Sequence, residues 1–311
     1  MKKYYLGVDI GGTSVKLALM DADCRILERA EASVSFDRYR TPVQATVLRE
    51  AAAFLERLDV KPEGIGISAT GQISSAGVVI GSNGSIPGWE DCDLRSLFAE
   101  RWSVPVVVLN DANAAALGEW RLGSGRGCTD MLMVTLGTGV GGGIISGGRL
   151  LTGSRGLAGE LGHFVFHRDG RPCTCGLRGC FEQYASTAAL LRRVEAETGQ
   201  SMTGRELFQE AEAGNQPLRE IIDGWTEEIA AGLAGLVHLF NPERVVLGGG
   251  ISTQRAQVID PVRQKLLRLV MPRFAEHLTV VPAMLGNDAG VVGAVCELQQ
   301  EEQADEWSQC Q

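Results

Sequence analysis

One kind of glycine-turned hairpin occurs twice in this chain, and the repetition limits the folds open to it. Val8-Asp9-Ile10-Gly11-Gly12-Thr13 returns in altered form as Val134-Thr135-Leu136-Gly137-Thr138-Gly139. Each copy ends an apolar run in a polar residue and turns on glycine. A second apolar run follows, Val15 to Met20 in the first copy and Gly141 to Ile145 in the second. The pattern reads as a β-hairpin whose turn leaves backbone amides facing outward. Such turns cradle phosphate, because bare N–H groups bind anions and glycine allows close approach. Two related copies predict two related lobes gripping one nucleotide.

The rest of the chain alternates in a way that suits this. Strands are expected over Tyr4–Ile10, Val15–Met20 and Arg25–Ala30, followed by a helix with Thr41 as N-cap and Pro42 at its first position. Val43, Val47, Phe54 and Leu58 give that helix one apolar face. Gly64–Ala69 reads as a buried strand, Asp93–Trp102 as a helix, Val104–Leu109 as a strand ending at Asn110-Asp111, and Ala112–Arg121 as a helix. Gly123–Gly127 marks a crossing between lobes, and the second hairpin runs from Met131 to Ile145. A Gly- and Cys-rich segment then spans Leu150 to Cys180, and helices dominate from Phe181 to Phe240. The strand Arg244–Leu247, a helix Pro261–Phe274, the strand Leu278–Val281 and a closing helix Ala289–Leu298 complete the order, with a polar tail after Gln299 expected to fray. This predicts a duplicated α/β architecture with mixed sheets covered by helices and ligand in a cleft where strand ends converge. The N-terminal lobe is expected over 1–122, completed by a C-terminal helix at 289–299, and the larger C-terminal lobe over 123–288.

Bulk properties exclude several classes. The chain has 311 residues, 44% apolar and 22% charged, an ordinary balance for a globular protein. Its 40 glycines cluster at turns rather than in low-complexity tracts, which argues against disorder. A net charge of −9 argues against a broad nucleic-acid surface, yet a local pocket of opposite sign can still take ATP. No apolar run reaches ~18 residues, so no membrane span is expected. Met1-Lys2-Lys3-Tyr4 runs straight into a strand without a signal segment, which makes a cytoplasmic location the expectation. Three of the eight cysteines fall within eight positions, a pattern of metal binding in a reducing compartment.

Asp9, Gly11, Gly12, Thr13 and Lys16 form the first candidate phosphate loop, with Asp9 placed to serve a Mg²⁺ ion. Alone the motif also fits a plain tight hairpin; the second copy, with Thr135, Gly137, Thr138 and Gly139, favours the phosphate reading. Asp111, between an apolar strand and a helix, is expected to be partly buried near the cleft. It is the best candidate for a general base, although an N-cap role suits the position equally. His163 with Cys173, Cys175 and Cys180 gives a tetrahedral Zn²⁺ set with no open position, hence structural. Glu160 and Glu182 flank these ligands. Each alone reads as a surface acid, but the shared tether makes them a carboxylate pair able to accept hydrogen bonds from sugar hydroxyls. Gly248-Gly249-Gly250 and Gly286-Asn287-Asp288 leave space for a base or ribose, with Gly249, Gly250 and Asn287 as contacts, and equally read as strand-to-helix turns. His167, His238, Trp89, Trp102 and Trp120 are assigned to structure.

Asp9-x-Gly-Gly-Thr13-x-x-Lys16, Asn110-Asp111, Gly156-x-x-Gly-Glu160-x-Gly-His163 and Cys173-x-Cys-Gly-x-x-Gly-Cys180-x-Glu182 together resemble the ROK (repressor, open reading frame, kinase) family over essentially the whole chain. The resemblance implies an actin-like, hexokinase-type fold with a nucleotide cleft between two lobes. It implies transfer of the ATP γ-phosphate to a hexose hydroxyl, usually the 6-hydroxyl, and a homodimer or homotetramer. By motif, Asp111 matches the catalytic base and Asn110 a sugar contact. Glu160, His163 and Glu182 match the sugar-binding trio, with His163 also a zinc ligand through its other ring nitrogen. Gly11, Gly12, Thr13, Thr138 and Gly139 match the phosphate loops. Family repressors carry an N-terminal helix-turn-helix, for which the first strand at residue 4 leaves no room, so a kinase is expected; a catalytically silent sugar sensor is the alternative. The chain departs from the glucokinase-like pattern at Ala69-Thr70-Gly71-Gln72 and at Ser85-Ile86-Pro87-Gly88-Trp89, with Asn83 nearby as a substitute. Gly71, Gln72 and Asn83 therefore join the sugar-contact candidates, and Gln72 offers an amide for the N-acetyl group of an N-acetylhexosamine.

Overall fold

The computed structural model describes residues 2–82, 84 and 86–309. In chain order its elements are β1 (Tyr4–Ile10), β2 (Ser14–Asp21), β3 (Ile26–Ser33), α1 (Val43–Leu58), β4 (Gly64–Ala69), β5 (Gln72–Ile73), β6 (Val79–Gly81), α2 (Leu94–Trp102), β7 (Val106–Asn110), α3 (Asp111–Leu122), β8 (Met131–Leu136), β9 (Val140–Ser146) and β10 (Arg149–Leu150). There follow α4 (Glu182–Ala185), α5 (Thr187–Thr198), α6 (Gly204–Glu212), α7 (Gln216–Phe240), β11 (Arg244–Gly248), α8 (Asp260–Leu269), α9 (Pro272–Ala275), β12 (Thr279–Pro282) and α10 (Ala289–Gln309). Among the described residues no helix is long and apolar enough to cross a membrane.

The chain forms two compact units. The first comprises Met1–Leu122, Thr152–Ala158 and Asn287–Gln311. Its sheet runs β3-β2-β1-β4-β7, with β1 antiparallel to β2 and parallel to β4, and β4 parallel to β7. All six residues of β4 are buried, as expected of a central parallel strand covered on both faces. α10 packs against α3, and glycine makes the approach possible: a Cβ on Gly293 would collide with the Ala114 carbonyl, and one on Gly118 with that of Ala289. A core of Leu6, Val8, Ile10, Val47, Phe54, Ile65, Ile67, Trp89 and Phe98 fills the unit.

The second unit comprises Gly123–Leu151 and Gly159–Gly286. Its sheet order, β10-β9-β8-β11-β12, repeats the first with the same pairing senses. α7 lays Ile222, Trp225, Ile229, Leu233 and Leu236 into its core.

Local chemistry moves several expected boundaries. Thr41 is not the cap of α1, because its hydroxyl donates to Asp37 Oδ2 at 2.7 Å; Pro42 holds the N-cap position without a side-chain bond. The helix expected over 261–274 is two pieces, α8 and α9, with a π-helical turn at Arg255–Ile259 leading into α8. Val270 and Met271 are extended between α8 and α9, as the residue before Pro272 must be. After Gln299 the chain continues in α10, which runs to Gln309.

Candidate active site

In the first unit, β1 and β2 carry the first glycine turn. Asp9 sits one residue before the strand end; its Oδ1 accepts from Ser68 Oγ on the neighbouring β4 at 2.7 Å, and its Oδ2 lies 3.4 Å from Lys16 Nζ. Ser68, fully buried, was missed in the sequence, although it is the one polar side chain in an otherwise apolar strand. A Cβ on Gly290, at the start of α10, would stand 3.1 Å from Asp9 Oδ1, so only glycine leaves that carboxylate open on this side. The turn closes through Gly11 N–H donating to Ser14 O at 2.9 Å. Its amides are therefore not all outward, and Gly12 and exposed Thr13 remain as the presenting residues.

Asn110 and Asp111 stand at the β7–α3 junction. Asn110 Oδ1 accepts from the backbone N–H of Ala112 at 3.0 Å and of Asn113 at 3.2 Å, which makes Asn110, not Asp111, the helix cap. Asn110 Nδ2 donates to the Gly71 carbonyl at 2.9 Å and to Asp111 Oδ1 at 3.0 Å. Asp111 Oδ1 also accepts from Ala112 N–H at 2.8 Å. Asp111 is exposed rather than partly buried, because as the first residue of α3 it points off the helix end. The link from Asn110 to Gly71 brings the exposed Gln72 into the same neighbourhood, while Trp89, 1% exposed, donates to the Thr70 carbonyl and belongs to the core. Asn83 lies outside the described residues. Asn287, exposed in a short 3-10 turn, also falls in this unit.

In the second unit, the β8–β9 turn holds exposed Thr138, with Thr135 in the position corresponding to Asp9. Gly137 N–H donates to Gly139 O at 3.0 Å, and the Gly137 carbonyl accepts from Thr187 N–H at 2.9 Å. A Cβ on Gly249 would collide with the Leu136 carbonyl, so Gly249 abuts this turn, whereas one on Gly250 would meet no atom within 4 Å. Glu182 Oε2 accepts from Val140 N–H at 3.0 Å, and its Oε1 faces Gln183 Nε2 at 3.4 Å. Gly162 O accepts from Glu182 N–H, and Glu160 is exposed, its carbonyl accepting from His163 N–H.

His163, Cys173, Cys175 and Cys180 turn one ligand atom each into a cluster whose members lie within 4.8 Å of one another. Cys173 Sγ is 3.7 Å from His163 Nδ1, and the Cys175 and Cys180 sulfurs are 3.6 Å apart. A tetrahedral Zn²⁺ with ligands at about 2.3 Å has edges near 3.8 Å, so the donor set and its spacing fit zinc. Burial carries the Cys180 thiol up to about 12; at Cys173 burial pushes the same way, but hydrogen bonds from Cys175 and Gln183 outweigh it and bring the thiol to about 7. Under the cluster, Phe181 stacks on Phe164 at 5.1 Å and meets Phe166 edge-on, which seats the loop on the core. His167 is partnered by Glu228, and His238 Nε2 accepts from Met271 N–H, both structural.

A sequence profile of the ROK family matches residues 5–301. A glucokinase from Thermotoga maritima is 34% identical over 304 residues, covering 93% of this chain and 95% of that protein. An N-acetylmannosamine kinase from Escherichia coli is 31% identical, covering 93% of this chain and 96% of its own. Among solved structures, a ROK family glucokinase from Streptomyces griseus in complex with glucose and AMPPNP superposes with a TM-score of 0.80 at 34% identity, covering 96% of this chain and 99% of that one.

Proposed function

Since the chain belongs to the ROK family, we infer that it is an ATP-dependent sugar kinase in which Asp111 takes the proton from the acceptor hydroxyl. The observation that carries the residue assignment is the β7–α3 junction. There Asn110 caps the helix and holds one Asp111 oxygen, leaving the exposed carboxylate oriented at a strand end. Phosphoryl transfer passes through a loose transition state, so the protein's work is positioning and charge compensation, with the base accepting its proton late.

The remaining roles follow from the same reading. Gly11, Gly12 and Thr13 of the first unit and Thr135, Gly137, Thr138 and Gly139 of the second bind phosphate, with Gly249, Gly250 and Asn287 as nucleoside contacts. Asp9, oriented by Ser68, would hold Mg²⁺, whose chemistry is to neutralise charge on the transferring phosphates. Lys16 balances the Asp9 charge when the metal is away. Glu160, Glu182 and the Nε2 of His163 hold sugar hydroxyls, while the Nδ1 of His163 and the three cysteines hold a structural zinc. Gln72 selects between a plain hexose such as glucose and an N-acetylhexosamine, with the 6-hydroxyl as acceptor. The enzyme works as a cytoplasmic homodimer or homotetramer.

The test is coupled ADP release across glucose, N-acetylmannosamine and N-acetylglucosamine. At least one sugar should stimulate turnover. A protein that gains thermal stability with a sugar yet releases no ADP would instead be a silent sensor, and the kinase reading would fail.

A further inference from the structure

We propose that Tyr39 is a positioning residue for the first phosphate loop, fixing the Gly12–Thr13 peptide so that its N–H faces the nucleotide. The proposal rests on the kinase reading above. Three observations carry it. First, Tyr39 Oη donates to the Gly12 carbonyl at 2.6 Å, and the next carbonyl, that of Thr13, accepts from Val34 N–H at 2.9 Å. The Gly12 and Thr13 carbonyls are thus both drawn into the protein. No peptide bond among the described residues is cis. In a trans peptide the N–H points opposite to the C=O, so the Thr13 N–H is directed away from Tyr39.

Second, the position is one where such a restraint matters. Glycine rotates freely, and the Gly11-Gly12-Thr13 turn is exposed to partly exposed. Without a partner, the Gly12–Thr13 peptide can flip and present its carbonyl lone pairs, which repel phosphate oxygens. A single hydroxyl on the Gly12 carbonyl opposes that flip.

Third, the loop carrying Tyr39 is held in a costly backbone shape. Arg38 and Tyr39 both have left-handed φ values, 60° and 61°, in succession and without glycine. Such conformations persist where the surroundings over-determine them. The restraint here is a clip: Asp37 Oδ2 accepts from both the N–H and the hydroxyl of Thr41, at 2.9 and 2.7 Å, and these hydrogen bonds hold the Asp37 carboxyl below the usual carboxylate range. The clip closes residues 37–41, and its tip aims the tyrosine at the loop.

The experiment compares Tyr39→Phe with the wild-type chain, which removes the hydroxyl and keeps the ring. At saturating sugar the KM for ATP should rise about five- to tenfold, the range of one lost hydrogen bond. AMPPNP should bind more weakly by the same factor in calorimetry. The KM for sugar and the melting temperature should stay put. Thr41→Val, which loosens the clip, should move the ATP KM in the same direction by less, and the exposed Arg40→Ala should not move it. An unchanged ATP KM in Tyr39→Phe overturns the proposal, as does a parallel rise in both KM values with a lower melting temperature, the mark of a merely structural tyrosine. Wild-type protein that binds no AMPPNP would overturn the kinase reading itself, an outcome separate from equal binding by wild type and Tyr39→Phe.

Discussion

The same dipeptide precedes two helices of the first unit, and its two copies are treated differently. β7, the last strand of the first sheet, leads directly through Asn110-Asp111 into α3; Asn287-Asp288, separated from the end of β12 by four residues and back in the first unit, leads into α10. At the first junction the acid accepts from the Asn110 amide and from the Ala112 N–H. At the second, Arg29 reaches Asp288 with a fork, Nη2 to Oδ2 at 2.7 Å and Nε to Oδ1 at 3.3 Å, and Asp288 in turn raises the guanidinium's pKa. A carboxylate engaged on both oxygens by a guanidinium is poorly placed to take a proton from a substrate. Duplication of a junction therefore does not duplicate its chemistry; the cross-strand partner decides it.

The comparison breaks most sharply at Asp111. Asp111→Asn should lower kcat by about 10²–10⁴ in a coupled assay, the range of a positioned acid–base group, with the sugar KM little altered. A kcat close to wild type would remove Asp111 from the mechanism. The next effect belongs to the second unit, where the proposed sugar-facing acids flank the Cys/His cluster proposed to hold zinc. Cys175 is the exposed member of that cluster, so on the proposed assignment Cys175→Ser should release zinc without disturbing the core. The sugar KM should then rise about tenfold while the ATP KM holds, with metal content read by elemental analysis. Stoichiometric zinc in that variant, or none in wild type, would contradict the assignment. A smaller effect tests the first unit's device. Ser68→Ala removes the bond that orients Asp9 and should raise the Mg²⁺ concentration for half-maximal rate several-fold, consistent with about 1 kcal/mol for one buried hydrogen bond.

What the sequence showed and what it hid follow one physical division. The hairpins and the clustering of His163 with the three cysteines were legible because their residues are local in sequence: side chains and glycines a few residues apart can meet only if the chain turns between them. Ser68 and Tyr39 were not, since each acts through a partner brought close by sheet pairing or by a loop clip, 59 and 27 positions away respectively. Cys24 and Cys296 make the same point, since their sulfurs lie 3.1 Å apart across 272 positions, a proximity that no local pattern announces. The exposure of Asp111 was misjudged because an apolar strand before it suggested burial, whereas its place at the first position of α3 sends the side chain outward. Helix boundaries failed where a competing bond outweighed a pattern, as when Thr41 gave its hydroxyl to Asp37.

The smallest effect is the one that most directly examines the paired junctions. Arg29 and Asp288 are 61% and 39% exposed, so solvent and salt screen their attraction, and the pair should contribute no more than about 1 kcal/mol. Asp288→Asn is therefore expected to lower the melting temperature slightly at low salt, to lose that difference in high salt, and to leave kcat unchanged. The fork spans from β3 to the turn before α10, so its loss should loosen that turn without touching the base at the other junction. If Asp288→Asn cut kcat as deeply as Asp111→Asn, the two junctions would be doing the same chemistry, and the partner-based distinction between them would have to be abandoned.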